Sequence, residues 1–429
     1  MANLLKRLSG LYYGWRMVGL VTAVRVLGGG LHQYGFTVFF LPVSQELGLS
    51  RAATSLAFSL ARAEGAIEGP LVGYLVDRHG PRPMIVTAAV LTGIGYVLFS
   101  RVQSYASFLV IYLGVISLAF TAGFIHSPMV VANTWFIRQR ARAMTVISAA
   151  VPIGGAVISP LLALVVHSWG WRWGAFLSGC AFLLIAAPLS LRLKRSPESI
   201  GLLPDGAPPE RRRGGSDEGL PPRDAGAPDY TVGRAMGTFV YWLLVLSMMT
   251  RVAAYSTVSV HFVPLMVWKG SSQEEAALML GAFAFVNLLC HFLLGWIADF
   301  MNKLQLVTVC MFIAAVSVLA LSWGDPRWAL WLFTVLFTVI DASFPIAWAA
   351  VGDFFGRRYF ATIRGTMSFF YQWGSVIGPV VAGAVYDSTQ SYQSVLRGLF
   401  ALLIVATVFN ALLIKPWADS RKRLLALSY

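Results

Sequence analysis

Twelve apolar stretches run along this chain, near residues 13–41, 52–76, 83–100, 106–134, 143–168, 174–192, 237–268, 275–299, 304–323, 328–352, 366–388 and 395–415. A hydrocarbon core of about 30 Å needs roughly 20 helical residues, so each stretch is a candidate membrane span. Lipid offers backbone N–H and C=O groups no partner, which makes a helix the expected form of every span. Composition agrees, since charged residues are 12% of 429 positions and apolar ones 57%. A water-soluble fold with that balance would expose far too much apolar surface. Lys6 and Arg7 precede a full-length span with no small-residue cleavage site, which argues against a removed signal peptide. Cys180, Cys290 and Cys310 fall inside apolar stretches without paired spacing and read as packing residues.

The net charge of +14 raises the question of nucleic acid. Its distribution answers otherwise. With the N-terminus inside, 24 of the 33 Lys and Arg fall on cytoplasmic segments and six on outer loops; Arg25, Arg62 and Arg251, within spans, complete the count. That bias predicts both termini in the cytoplasm, in a bacterial inner membrane. The clusters at Arg138-Arg140-Arg142, Arg211-Arg212-Arg213, Arg357-Arg358 and Arg421-Lys422-Arg423 read as topology signals beside anionic lipid, with no nucleic-acid motif. Residues 193–235 are rich in Pro, Gly, Arg and Asp and read as a flexible linker. They separate a six-span half, 1–192, from a second, 236–429.

The halves repeat. A shift of 222 lays Pro42 on Pro264, Ser50 on Ser272, Gly73 on Gly295 and Asp77 on Asp299. A shift of 219 lays Arg138 on Arg357 and Pro160 on Pro379. Apolar composition alone does not predict matched Gly, Pro and Asp, so two parallel six-helix repeats follow.

The stretch Gly73-Tyr74-Leu75-Val76-Asp77-Arg78-His79-Gly80-Pro81-Arg82 resembles the loop between helices two and three of the major facilitator superfamily, and Gly295 to Asp299 is its weaker echo. Within that superfamily, Tyr12-Tyr13-Gly14-Trp15, Asn133-Thr134-Trp135-Phe136 and Ser196-Pro197-Glu198 to Gly206 resemble the bacterial monocarboxylate and oxalate/formate-type transporters. The resemblance implies an all-α major facilitator fold and alternating access, without enzyme activity or cofactor. The motif residues Gly73, Asp77, Arg78, Gly80, Arg82, Gly295 and Asp299 are expected to form a conformational latch. Gly73 admits a close neighbour, and Asp77 either caps a helix N-terminus or pairs with arginines.

Charge at membrane depth needs an explanation, because it is costly there. Arg25, Arg62, Glu64, Arg251, Asn287 and Asp341 lie near span centres, with His32, Glu68, His126 and His291 somewhat off-centre. Helical spacing lines up Arg25, Gly29, His32 and Phe36 on one face, and Arg251 with Tyr255 on another. Two roles stay open for the arginines: capture of a carboxylate, or clamps against Asp341, Glu64 or Glu68. In the monocarboxylate transporters the eighth helix carries an Asp and an Arg four residues apart, where this chain has Asn287 and His291; the family's lysine near the end of helix 1 is absent, with Tyr34 in its neighbourhood. Substrate contact is expected from Arg25, His32, Tyr34, His126, Arg251, Tyr255, Asn287, His291, Tyr371 and Gln372. Glu64, Glu68, Arg62 and Asp341 are the candidates for proton coupling or charge pairing.

The expected function is secondary active transport of a small organic anion, a mono- or dicarboxylate, with protons or by exchange. The protein would act as a monomer in the bilayer and hold no metal. The rival is an exporter of a larger amphipathic compound, suggested by aromatic residues including Phe36, Tyr255, Trp348, Tyr371 and Trp373.

Overall fold

A computed structural model describes residues 12–48, 51–206, 230–323 and 327–426. The side chains at 36–37, 40–41, 51–59, 62, 273, 277 and 417–426 lie outside that description, and with them the expectations for Arg62 and Phe36. The same holds for the basic clusters at 211–213 and 421–423 and for most of the linker. All regular structure among the described residues is helical. Twelve rods result: α1 (13–46), α2 (Arg51–His79), α3 (Pro81–Phe99), α4 (Tyr105–Trp135), α5 (Arg140–Trp169), α6 (Trp171–Leu191), α7 (Phe239–Trp268), α8 (Gln273–Ile297), α9 (Lys303–Trp323), α10 (Arg327–Phe355), α11 (360–389) and α12 (Gln393–Ala426).

Nine of these are long and apolar enough to cross a membrane. The other three have physical reasons for falling short. A π-helical turn, Gly29–Gln33, divides α1. Three charges, Arg62, Glu64 and Glu68, sit inside α2. Gln372 divides α11 into Phe360–Tyr371 and Trp373–Thr389.

Lipid gives helices no hydrophobic drive to associate, so close packing and polar contacts hold the bundle. The first half centres on Tyr96, Phe99, Phe108, Phe124 and Phe182, and the second on Phe262, Phe333 and Phe337. Single glycines join α2 to α3 and α5 to α6, Gly80 at φ 89° and Gly170 at φ 84°, a region that a side chain disfavours. Between halves, α2 packs on the first segment of α11 and α5 packs on α8. At one crossing, a Cβ on Gly73 would lie 2.7 Å from Thr362 Cα, so the backbones meet directly. Both crossings lie toward the face that carries residues 192–206, called here the linker face.

Candidate functional site

Two polar groups gather on α1, α4, α7, α8, α10 and α11. The first gathers Arg25 of α1, His126 of α4, Trp348 of α10 and Arg364 of α11. Arg364 Nη1 donates to the carbonyls of Ile125 (3.1 Å) and His126 (3.0 Å), and its guanidinium stacks 4.9 Å over Trp348. Both carbonyls sit at the end of a π-helical turn, Thr121–His126. Nε of Arg364, Nε and Nη1 of Arg25, and Nε1 of Trp348 are buried without a hydrogen-bond partner. Among the described residues, the charge acting on Arg25 is Arg364.

Arg364 was the residue the spans concealed. Drawing α11 from 366 assigns it to a cytoplasmic segment, whereas the helix begins at Phe360. Its spacing of four and seven residues from Ser368 and Tyr371 is the signal that identifies a buried face.

The second group is built on the other half. Arg251 Nη2 lies 3.8 Å from Asp341 Oδ1, its Nε donates to Ile340 O at 3.0 Å, and the group stacks 4.0 Å over Phe344. Asn287 Nδ2 donates to Thr338 O (3.3 Å) and Asp341 Oδ2 (3.4 Å), which ties α8 to the break in α10. Tyr255, and Tyr34 from the first half, lie within electrostatic reach of Asp341. Tyr371 joins the two groups: it reaches both Arg251 and Arg364, and its ring packs against Phe344 and Trp348. Gln372 follows at the break in α11. His291 is buried, with Nδ1 3.0 Å from Asn287 O, one turn back on its own helix.

His32 departs from the expected pathway face. Its Nδ1 is 2.9 Å from Tyr96 OH and its ring centroid 4.1 Å from Phe120, inside the first half. The π-helical turn at Gly29–Gln33 changes the helical phase after Arg25, so α-periodicity no longer carries from one to the other. The pairing of Arg25 with a carboxylate is likewise replaced by its approach to Arg364. Glu64 and Glu68 instead neighbour Ser117 and Thr121 of α4.

The linker face is closed by charge. Asp77 accepts from Ala361 N (3.1 Å), Thr362 N (2.7 Å) and Thr362 Oγ1 (2.6 Å), at the N-terminus of α11, where a carboxylate suits the helix dipole. Arg142 reaches Asp299 at 2.8 Å. Asp353 is buried between Arg140 (2.6 Å) and Lys303 (2.5 Å), a triad drawn from three helices that a topology reading of these residues overlooks. Arg357 pairs with Glu198 at 3.0 Å and also donates to Thr134 O. Asp205 accepts from the backbones of Ile137, Arg138 and Gln139. Residues 196–206 are therefore tied to both halves. Arg78 bonds Tyr74 OH, Gly80 packs on Arg195, and Arg82 is exposed. On the opposite face Tyr34 is 43% exposed.

A duplicated twelve-helix bundle with buried charges at the seam of its halves and a charge-locked face defines a multi-pass membrane transporter, not an enzyme. The family model of the Major Facilitator Superfamily matches residues 18–267 and 238–426. The chain belongs to that superfamily. It is 23% identical to monocarboxylate transporter 2 of Mesocricetus auratus over 96% of this chain and 87% of that protein. It is 24% identical to human monocarboxylate transporter 6 over 87% and 74%. The fold is similar to a crystal structure of the transporter FucP in the outward conformation, with a TM-score of 0.69 and 14% identity over 92% of this chain and 98% of that one.

Proposed function

We propose that the chain carries a small organic anion with a carboxylate group by alternating access, coupled to protons or in exchange. It would do so as a monomer in a bacterial inner membrane, with both termini cytoplasmic. The observation that carries this reading is the set of unpartnered donors on Arg25, Arg364 and Trp348 at the seam of the halves. Every one of those atoms donates and none accepts, so an acceptor-rich anion completes the set. The relatives' names point to monocarboxylates, which supports the same chemistry. Glu64, half-buried, and Glu68, buried, each beside a hydroxyl, are the proposed proton carriers, with Asp341 as an alternative. The motif residues act as the latch that opens and closes the linker face.

Proteoliposomes holding the purified chain test this with labelled short carboxylates, with and without an imposed pH gradient. The expected result is saturable uptake or counterflow that Arg364→Gln reduces at least tenfold. Absence of saturable transport of every carboxylate, with efflux of an amphipathic dye, would favour the exporter reading instead.

A further inference from the structure

We infer that the transported anion bears two negative charges, one answered by Arg25 and the other by Arg364. This rests on the organic-anion reading above and sharpens it. The argument is the balance of buried charge. Arg251 is matched by Asp341 at 3.8 Å. On the linker face Arg140 and Lys303 share Asp353, and Arg142 meets Asp299. Among the described residues, neither Arg25 nor Arg364 forms an ion pair with a carboxylate, and Arg364 acts on Arg25, while Glu64 and Glu68 lie beside Ser117 and Thr121 instead. No described carboxylate acts on either guanidinium. A monoanion neutralises one; a dianion neutralises both.

The donors also suit two acid groups held apart. Nη1 of Arg364 is fixed on the carbonyls of Ile125 and His126, so that guanidinium is immobilised on α4 while its Nε stays open. Arg25 has Nε and Nη1 open on another helix, and Trp348 adds a third donor. The arginines approach from different halves, Arg25 on α1 and Arg364 on α11. A substrate with an ammonium group meets like charge here, which argues against amino acids.

The experiment uses the full chain in lipid nanodiscs, at a pH where both acid groups of a dicarboxylate are ionised. Binding is measured by calorimetry for the dicarboxylates from ethanedioate to hexanedioate, their half-esters and the matching monoacids. The proposal expects at least one dicarboxylate to bind tenfold or more tightly than its half-ester. In Arg364→Gln and in Arg25→Gln that dicarboxylate loses tenfold or more and its half-ester less than threefold, so the preference disappears. Arg364→Lys, which keeps the charge, retains part of the preference and guards against a variant that simply fails to fold. Half-esters binding as tightly as dicarboxylates, or variants weakening both alike, overturn the dianion while leaving the anion transporter intact. No binding by any acid overturns both readings.

Discussion

Asp353 receives Arg140 and Lys303 from two different helices, and all three side chains are at most 6% exposed. Truncating the shared carboxylate strands two cations in a dry place. Asp353→Ala is expected to lower stability by about 3–5 kcal/mol, the usual cost of breaking a buried pair. Thermal unfolding in detergent checks it, and a loss under 1 kcal/mol would show that water reaches the triad. Asp299 is a different case, although the repeat aligns it with Asp77. Burial raises its carboxyl above the ordinary range, and Arg142 and Lys303 offset that only in part. Asp299→Asn is therefore expected within about 0.5 kcal/mol of the parent chain by the same assay, since its partner Arg142 is 32% exposed and contributes little. Apolar spans say nothing of neighbours: Arg140 and Arg364 read as loop charges, and for Arg251 a clamp on Asp341 stays one of two open roles.

At the scale of elements, α2 and the first segment of α11 cross backbone to backbone. A Cβ on Gly365 would collide with the carbonyl and carbon of Gly69 and come within 3.0 Å of Pro70 N. Gly365→Val forces these helices apart, at a cost of about 1–3 kcal/mol for overpacking. The lost contact lies only on the linker face, so the variant is expected to open that face as well as destabilise. Spin labels at Arg82 and Arg358, one on each half, read the opening as a longer distance; an unchanged distance would mean that the crossing relaxes locally. Of the glycines at this crossing the sequence singles out Gly73 alone, through its loop motif, since lipid-embedded helices meet through small residues. The π-helical turns were not legible. They insert a residue without altering the apolar pattern, and His32 therefore faces Tyr96 when its spacing from Arg25 puts both on one face.

At the scale of the molecule, the repeat made the two-half fold legible, and the closed face follows from charges that cross between the halves. Two carboxylates on that face titrate with opposite sign. Burial raises the Glu198 carboxyl, but Arg357 and nearby hydrogen bonds outweigh that and hold it below the ordinary range. Its pair with Arg357 thus supports the closed face above about pH 4.3, the ordinary glutamate value, and that support is lost as pH falls through the lower closed-state value. The pair is about a third exposed, so its share stays under about 1 kcal/mol. Asp299, raised by burial, works the other way: its proton favours the closed face, and that contribution is full at low pH and lost as pH rises through its raised value. Acidification from neutral should therefore first tighten the linker face, as Asp299 takes up its proton, and then loosen it as Glu198 does. Distances between labels at Arg138 and Arg358, followed from pH 7 downward, are expected to shorten and then lengthen. Asp299→Asn removes the first phase and Glu198→Gln the second. A monotonic response in the parent chain, or both phases surviving in both variants, would assign the face's pH response to groups other than these two carboxylates.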